Sequence, residues 1–202
     1  MRPDANDSGL STSPGEPHRR EAIQTIYLGG GCFWCMDAVF RRIRGVLRVR
    51  CGYMGGHIIQ PSYRQVCSGT TGHAEVVEVI FDEEALALSA LLEVFFAAHD
   101  PTTLNRQGAD VGTQYRSVVF CSSAEQRQAV ERFINDLEQC RTFDRPVVTQ
   151  LADAGPFYPA EDYHQNYYDG NLYAPYCQYV ILPKLEKINK QFPGLLVNAK
   201  NT

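Results

Sequence analysis

From Ala22 to Leu28 apolar and polar side chains roughly alternate, and the run stops at Gly29-Gly30-Gly31, the pattern of a strand entering a tight loop. Phe33, Met36, Val39, Phe40 and Ile43 then recur at helical spacing, with Gly45 as the stop. Leu47, Val49, Cys51 and Tyr53 alternate with Arg48, Arg50 and Gly52, which predicts a second strand ending at Gly55-Gly56. A third is expected from Ala74 to Phe81. Leu88, Leu91, Leu92, Phe95, Phe96 and His99 form the apolar stripe of an amphipathic helix that must end before Pro101. Tyr115 to Cys121 reads as a strand. Ser123 and Gln126 make a capping-box pair opening a helix to about Leu137, and Pro146 to Leu151 suggests one more strand. The tract from Pro156 to Tyr179 holds seven of the eleven tyrosines among Pro and Gly, so only a short helix around Glu161 to Tyr168 is expected there.

No internal repeat interrupts this order of elements, which predicts one α/β domain of the α+β type. The expected architecture is a two-layer sandwich, a mixed and partly antiparallel sheet covered by helices, with a coil-rich C-terminal wrap. Residues 1–21 are dominated by Asp, Ser, Pro, Gly and Arg and cannot offset their ordering entropy by burial, so they are expected to be a disordered tail. The domain is expected over 22–192, with a second tail over 193–202.

Composition changes this picture only by exclusion. A chain of 202 residues with 44% hydrophobic and 21% charged residues and a net charge of −4 is neither disordered nor a nucleic-acid coat, so no nucleic-acid partner is expected. No apolar run approaches the ~18 residues of a membrane span, and the N-terminus lacks the apolar centre of a signal peptide. A cytoplasmic protein without a membrane partner is the expectation. Seven cysteines, an odd number, argue against a secreted disulfide scaffold. Several of them should be small buried hydrophobes, and Cys51, Cys121 and Cys140 show no chemical surroundings.

Cys32 is different. In Gly31-Cys32-Phe33-Trp34-Cys35 the thiol stands at the start of a helix, where free backbone N–H groups and the positive dipole end favour the thiolate. Cys35, one turn on, is close enough in principle to form a disulfide with it. A zinc knuckle needs a second ligand pair, which none of Cys51, Cys67, His57 or His73 supplies. A thioredoxin-like dithiol remains open on these residues alone.

The same stretch resembles the active-site signature of the peptide methionine sulfoxide reductase A family. Tyr63-Arg64-Gln65-Val66-Cys67-Ser68-Gly69, Gly72-His73-Ala74-Glu75, the run Arg106 to Ser117, Tyr163-His164-Gln165 and Tyr176-Cys177 are similar to further blocks of that family in the same order. The resemblance covers about residues 24–190 and implies reduction of methionine S-sulfoxide, free or in peptides and oxidised proteins, with thioredoxin as electron donor and no metal or organic cofactor. It implies Cys32 as nucleophile and Glu75 as the acid that protonates the sulfoxide oxygen. Seen from the sequence alone, Glu75 heads an apolar strand, where partial burial would keep it protonated near neutrality.

The resemblance also places Tyr63 and Tyr115 as hydroxyl donors to that oxygen, Phe33 and Trp34 as walls of a methyl pocket, and Asp110 in a supporting role. Cys177 matches a recycling cysteine in what should be a flexible, tyrosine-rich segment. Many family members carry Gly where this chain has Cys35, so Cys35 and Cys177 are both candidate resolving thiols for a Cys32 sulfenic acid. Cys67, His73 and His164 are expected to be structural. Two other functions compete: a general dithiol-disulfide oxidoreductase, which needs no carboxylic acid, and a zinc-holding binding module.

Overall fold

The structure, a computed structural model, describes residues 22–197. The expected tail at 1–21 and residues 198–202 of the second lie outside the described residues. The chain runs β1 (Ile23–Gly29), α1 (Phe33–Phe40), β2 (Val46–Met54), α2 (Tyr63–Cys67), β3 (Ala74–Asp82), α3 (Leu88–Ala98), the two-residue strands β4 (Arg106–Gln107) and β5 (Asp110–Val111), β6 (Val118–Cys121), α4 (Ala124–Gln139), β7 (Gln150–Asp153), β8 (Tyr158–Pro159), α5 (Tyr167–Gly170) and α6 (Leu182–Gln191).

Six strands form one sheet in the order β7-β6-β1-β3-β2-β8. Every pairing is antiparallel except β6 with β7, where Val118 stands opposite Gln150. The sheet is therefore mixed and mostly antiparallel, as the pattern predicts. The central strand β3 is buried on both faces, and its alternation sorts its residues. Val77, Val79 and Phe81 point into the main core with α1, α3 and α6, whereas Ala74 and Val76 join Met54, Val118 and Phe120 in a smaller cluster on the other face. By the same parity Glu75 belongs to the helix-covered side, the side that carries Cys32.

Three stretches differ from their expected form. The strand expected from Tyr115 begins at Val118, because Thr113–Tyr115 closes a 3-10 turn that re-aims Tyr115. The last major strand is shifted from 146–151 to Gln150–Asp153, the register in which it pairs along β6. The helix expected around Glu161 to Tyr168 is split into a 3-10 turn at Asp162–His164 and the short α5 by Asn166, whose φ of 51° breaks the ladder.

The largest difference is at the C-terminal end. Instead of a coil-rich wrap, Cys177–Ile181 forms one π turn that continues directly into α6. Ile181, Leu185 and Ile188 bury one side of this helix against the main core, and Pro183 occupies its first turn, where a missing N–H costs nothing. Residues 193–197, expected as the start of a tail, are tied to the end of α1: Arg44 donates its backbone N–H to the Leu195 carbonyl, and Val197 to that of Arg42.

Candidate active site

Three glycines carry the chain from β1 into α1. Gly31 has a φ of +90°, and at Gly30 a Cβ would stand 2.4 Å from Met36 Cε and 3.0 Å from the His99 ring. This close approach lays the start of α1 over the ends of β1 and β3. His99 beneath it is neutral, since burial lowers its pKa to about 4. Its ring is held between the Phe95 carbonyl and the Ser117 hydroxyl, each at 2.7 Å.

Cys32 is the N-cap of α1 and is partly exposed, whereas Cys35 is only 2% exposed. The two thiols share a hydrogen bond, and this sets their titration. The S–H that Cys32 donates pulls Cys35 down to about 7, and the same bond, together with burial, holds the proton on Cys32 well above the ordinary thiol range. One proton serves both sulfurs, so the first ionisation belongs to the pair and not to either thiol alone.

Glu75 is 1% exposed, and its Oε2 accepts the Phe33 backbone N–H at 3.0 Å. Burial raises its pKa to about 8, against the lowering effect of that N–H and with smaller increments from Asp110 and Cys35. At neutral pH it is an acid with a proton to give. The capping box of Ser62 and Gln65 starts α2 so that Tyr63 is its first residue, and the 3-10 turn ends at Tyr115. Both phenols stay protonated: burial raises each, and the charge of Glu75 adds to it. Tyr115 also feels Asp110 and Cys32, so these groups lie near one another. Tyr63 is hydrogen-bonded to Cys67, which is exposed.

The aromatic residues divide. Trp34 stacks on Tyr167 at 3.7 Å and 6°, meets Tyr176 edge-on, and donates its indole N–H to His164 Nδ1 at 3.1 Å. Phe33 is fully buried beneath, with Tyr53 at 5.9 Å and His164 at 5.0 Å. His164 is buried, and its accepting Nδ1 assigns the ring proton to Nε2. His73 ties a loop, accepting from Gly56 N–H and pairing with the Ile58 carbonyl.

Two placements were not foreseen. Cys177 is the first residue of the π turn, fully buried in the main core and not in a flexible segment. It is near enough to Cys35 for that charge, after burial, to raise its pKa. Tyr176, quoted only as part of a motif, sends its hydroxyl into the site, 3.7 Å from Cys35 Sγ and 3.3 Å from Asp110 Oδ2. A tyrosine directly before a candidate resolving cysteine was the available signal. Among the described residues no three His, Cys, Asp or Glu side chains come together in a way that could hold a metal.

A reactive dithiol at a helix start beside a buried, protonated carboxylic acid defines a thiol-based reductase on an α/β scaffold. The family description "peptide methionine sulfoxide reductase" matches residues 24–195. Peptide methionine sulfoxide reductase MsrA of Trichodesmium erythraeum is 56% identical over 171 residues, 85% of this chain and 97% of that protein. The MsrA of Chromobacterium violaceum is 56% identical over 176 residues, 87% of this chain and all of that protein. Reduced Mxr1 of Saccharomyces cerevisiae superposes with a TM-score of 0.72 at 32% identity, covering 80% of this chain and 92% of that one. Methionine sulfoxide reductase A of Corynebacterium diphtheriae gives 0.67 at 35% identity, covering 78% and 80%. Mxr1 has also been solved in complex with Trx2, a likeness of 21% identity and TM-score 0.51 over 75% of this chain and 89% of that one that bears on the fold. The chain belongs to the peptide methionine sulfoxide reductase family.

Proposed function

We infer that the chain reduces methionine S-sulfoxide to methionine, free or within peptides and oxidised proteins, and is recycled by thioredoxin. The observation that carries this reading is Glu75: a buried carboxylic acid kept protonated to about pH 8, anchored by Phe33 N–H to the helix that begins at Cys32. A sulfoxide becomes a good electrophile only when its oxygen is protonated as the sulfur is attacked.

In the proposed sequence the Cys32 thiolate, formed by proton transfer to Cys35, gives its electron pair to the sulfoxide sulfur while Glu75 gives its proton to the oxygen. Tyr63 and Tyr115 donate hydrogen bonds to that oxygen, and Trp34, with Phe33 behind it, encloses the methyl group. The oxygen passes to Cys32, which is oxidised by two electrons to a sulfenic acid, and methionine departs reduced by two. Cys35 then displaces the oxygen: an S–S bond forms, an S–O bond breaks, and the Cys35 proton leaves with the oxygen as water. Exchange with Cys177 and then with the thioredoxin dithiol completes the cycle.

Support for thioredoxin comes from the yeast relative solved with Trx2. No metal or organic cofactor is needed for these steps. Thiols left free favour a reducing compartment, the cytoplasm, and the folded domain is taken to start near residue 22. No helix among the described residues is long and apolar enough to cross a membrane. The test is turnover with thioredoxin on the two sulfoxide epimers and on insulin disulfides. We expect S-sulfoxide turnover alone; insulin reduction without sulfoxide turnover would favour the general oxidoreductase.

A further inference from the structure

Tyr176 has one proton to give and meets Cys35, Asp110 and the Cys32 sulfur. Its hydroxyl is 3.7 Å from Cys35 Sγ, a contact in which either atom can donate, and 3.3 Å from Asp110 Oδ2, to which it donates. Burial keeps the phenol protonated, and the charges of Cys32 and Cys35 reinforce this, so Tyr176 itself does not ionise near neutrality. The group is fixed at the N-cap of the π turn by its edge-on contact with Trp34 at 5.8 Å. A neutral phenol held in this way follows the charge on its neighbours. When Cys35 carries a proton, S–H donates to the tyrosine oxygen and O–H donates to Asp110. When Cys35 is an anion, O–H turns to sulfur, because a hydrogen bond to a charged acceptor is the stronger one. A disulfide sulfur neither donates nor accepts well, so on oxidation the proton returns to Asp110.

We propose that Tyr176 is a positioning residue for the resolving thiol: its hydroxyl steadies the Cys35 sulfur as an anion facing Cys32, and turns back to Asp110 once the Cys32–Cys35 disulfide has formed. This deepens the function proposed above, on which its place in the cycle rests. In the resolving step the S–H bond of Cys35 breaks, its proton joins the departing oxygen as water, and the sulfur pair forms the S–S bond to Cys32. The negative charge developing on Cys35 during that step is what the Tyr176 proton meets. Asp110 thereby senses whether the dithiol is reduced or oxidised, through a single hydroxyl.

The test needs no substrate and so stands apart from the sulfoxide reading. Thiolate absorbance of the fully reduced protein is followed from pH 5 to 10, and the earliest ionisation is compared between variants. Tyr176→Phe should move that midpoint up by about one pH unit, the worth of one hydrogen bond to an anion. Asp110→Asn should move it down, since the competing acceptor and its charge are both removed. A purely structural role, such as packing against Trp34, would leave the midpoint in place. An unmoved midpoint in Tyr176→Phe, or shifts of the same sign in both variants, would overturn the proposal. A stopped-flow arm adds the kinetic consequence: after one equivalent of methionine S-sulfoxide, Tyr176→Phe should lose one thiol as methionine is released, and the second, that of Cys35, about tenfold more slowly than the wild type. A second phase at the wild-type rate would contradict it.

Discussion

The Phe33 backbone N–H donates to Glu75 Oε2 at 3.0 Å, so the buried acid and the helix that presents Cys32 move as one unit. Strand β3 supplies the acid and α1 the thiol, and this hydrogen bond ties the two elements together. That bond lowers the Glu75 pKa, but burial outweighs it and sets the value at about 8.

The chemical step should therefore have a bell-shaped pH profile in single-turnover experiments. Its acid limb reports the first ionisation of the thiol pair, near 7, and its alkaline limb the loss of the Glu75 proton near 8. Glu75→Gln should lower the rate by roughly 10²- to 10⁴-fold and abolish the alkaline limb. An alkaline limb retained in Glu75→Gln would assign the acid to another group.

The same residue makes stability depend on pH. A carboxyl whose folded pKa is raised from 4.5 to about 8 binds its proton more tightly in the folded state, so its contribution is complete below 4.5 and is lost as pH rises through 8. Urea midpoints of the wild type should fall from pH 5 to pH 9 by more than those of Glu75→Gln, whose amide cannot ionise. Parallel curves would mean that the carboxyl is not buried in solution.

Trp34→Ala removes the ring stacked on Tyr167 at 3.7 Å and opens the proposed methyl pocket. We expect kcat/KM for methionine S-sulfoxide to fall roughly 10- to 100-fold, the range for contacts in a small apolar pocket. An unchanged kcat/KM would take Trp34 out of the site.

Gly31→Ala places a Cβ at a φ of +90°, 2.6 Å from Gln107 Cγ. The cost should be about 1–3 kcal/mol, read as a lowered melting temperature, and Cys32 should be displaced with it. A melting temperature equal to that of the wild type would contradict the close approach.

Much of this was legible in the sequence because burial patterns have short periods. The alternation of β2 and β3 and the stripe of α3 each gave the element within one or two residues, and the Ser123–Gln126 pair marked the start of α4. Glu75 could be proposed only through the family resemblance, since a glutamate heading an apolar strand reads equally well as a solvated strand end. What escaped depended on contacts between distant segments. The lowered first ionisation of the thiol pair draws on Lys184 and on Tyr176, 141 residues from Cys35, which no local pattern encodes. The π turn that buries Cys177 was hidden because the tyrosines and Pro and Gly before it read as coil, although Leu182, Leu185 and Ile188 already carried a helical spacing. The strand expected from Tyr115 starts three residues later, since a 3-10 turn over Thr113–Tyr115 comes first.

Cys35→Ser should still release one methionine per chain but accumulate the Cys32 sulfenic acid, detectable as a dimedone adduct by mass spectrometry. A Cys32–Cys177 disulfide forming at the wild-type rate would move the resolving step to Cys177.

The most direct test of the central claim is the amount of methionine released by reduced protein given excess methionine S-sulfoxide with no reductant. The account predicts a stoichiometric burst from the wild type, with oxidation located at Cys32, and none from Cys32→Ser. A burst that survives in Cys32→Ser, or none from the wild type, would contradict it.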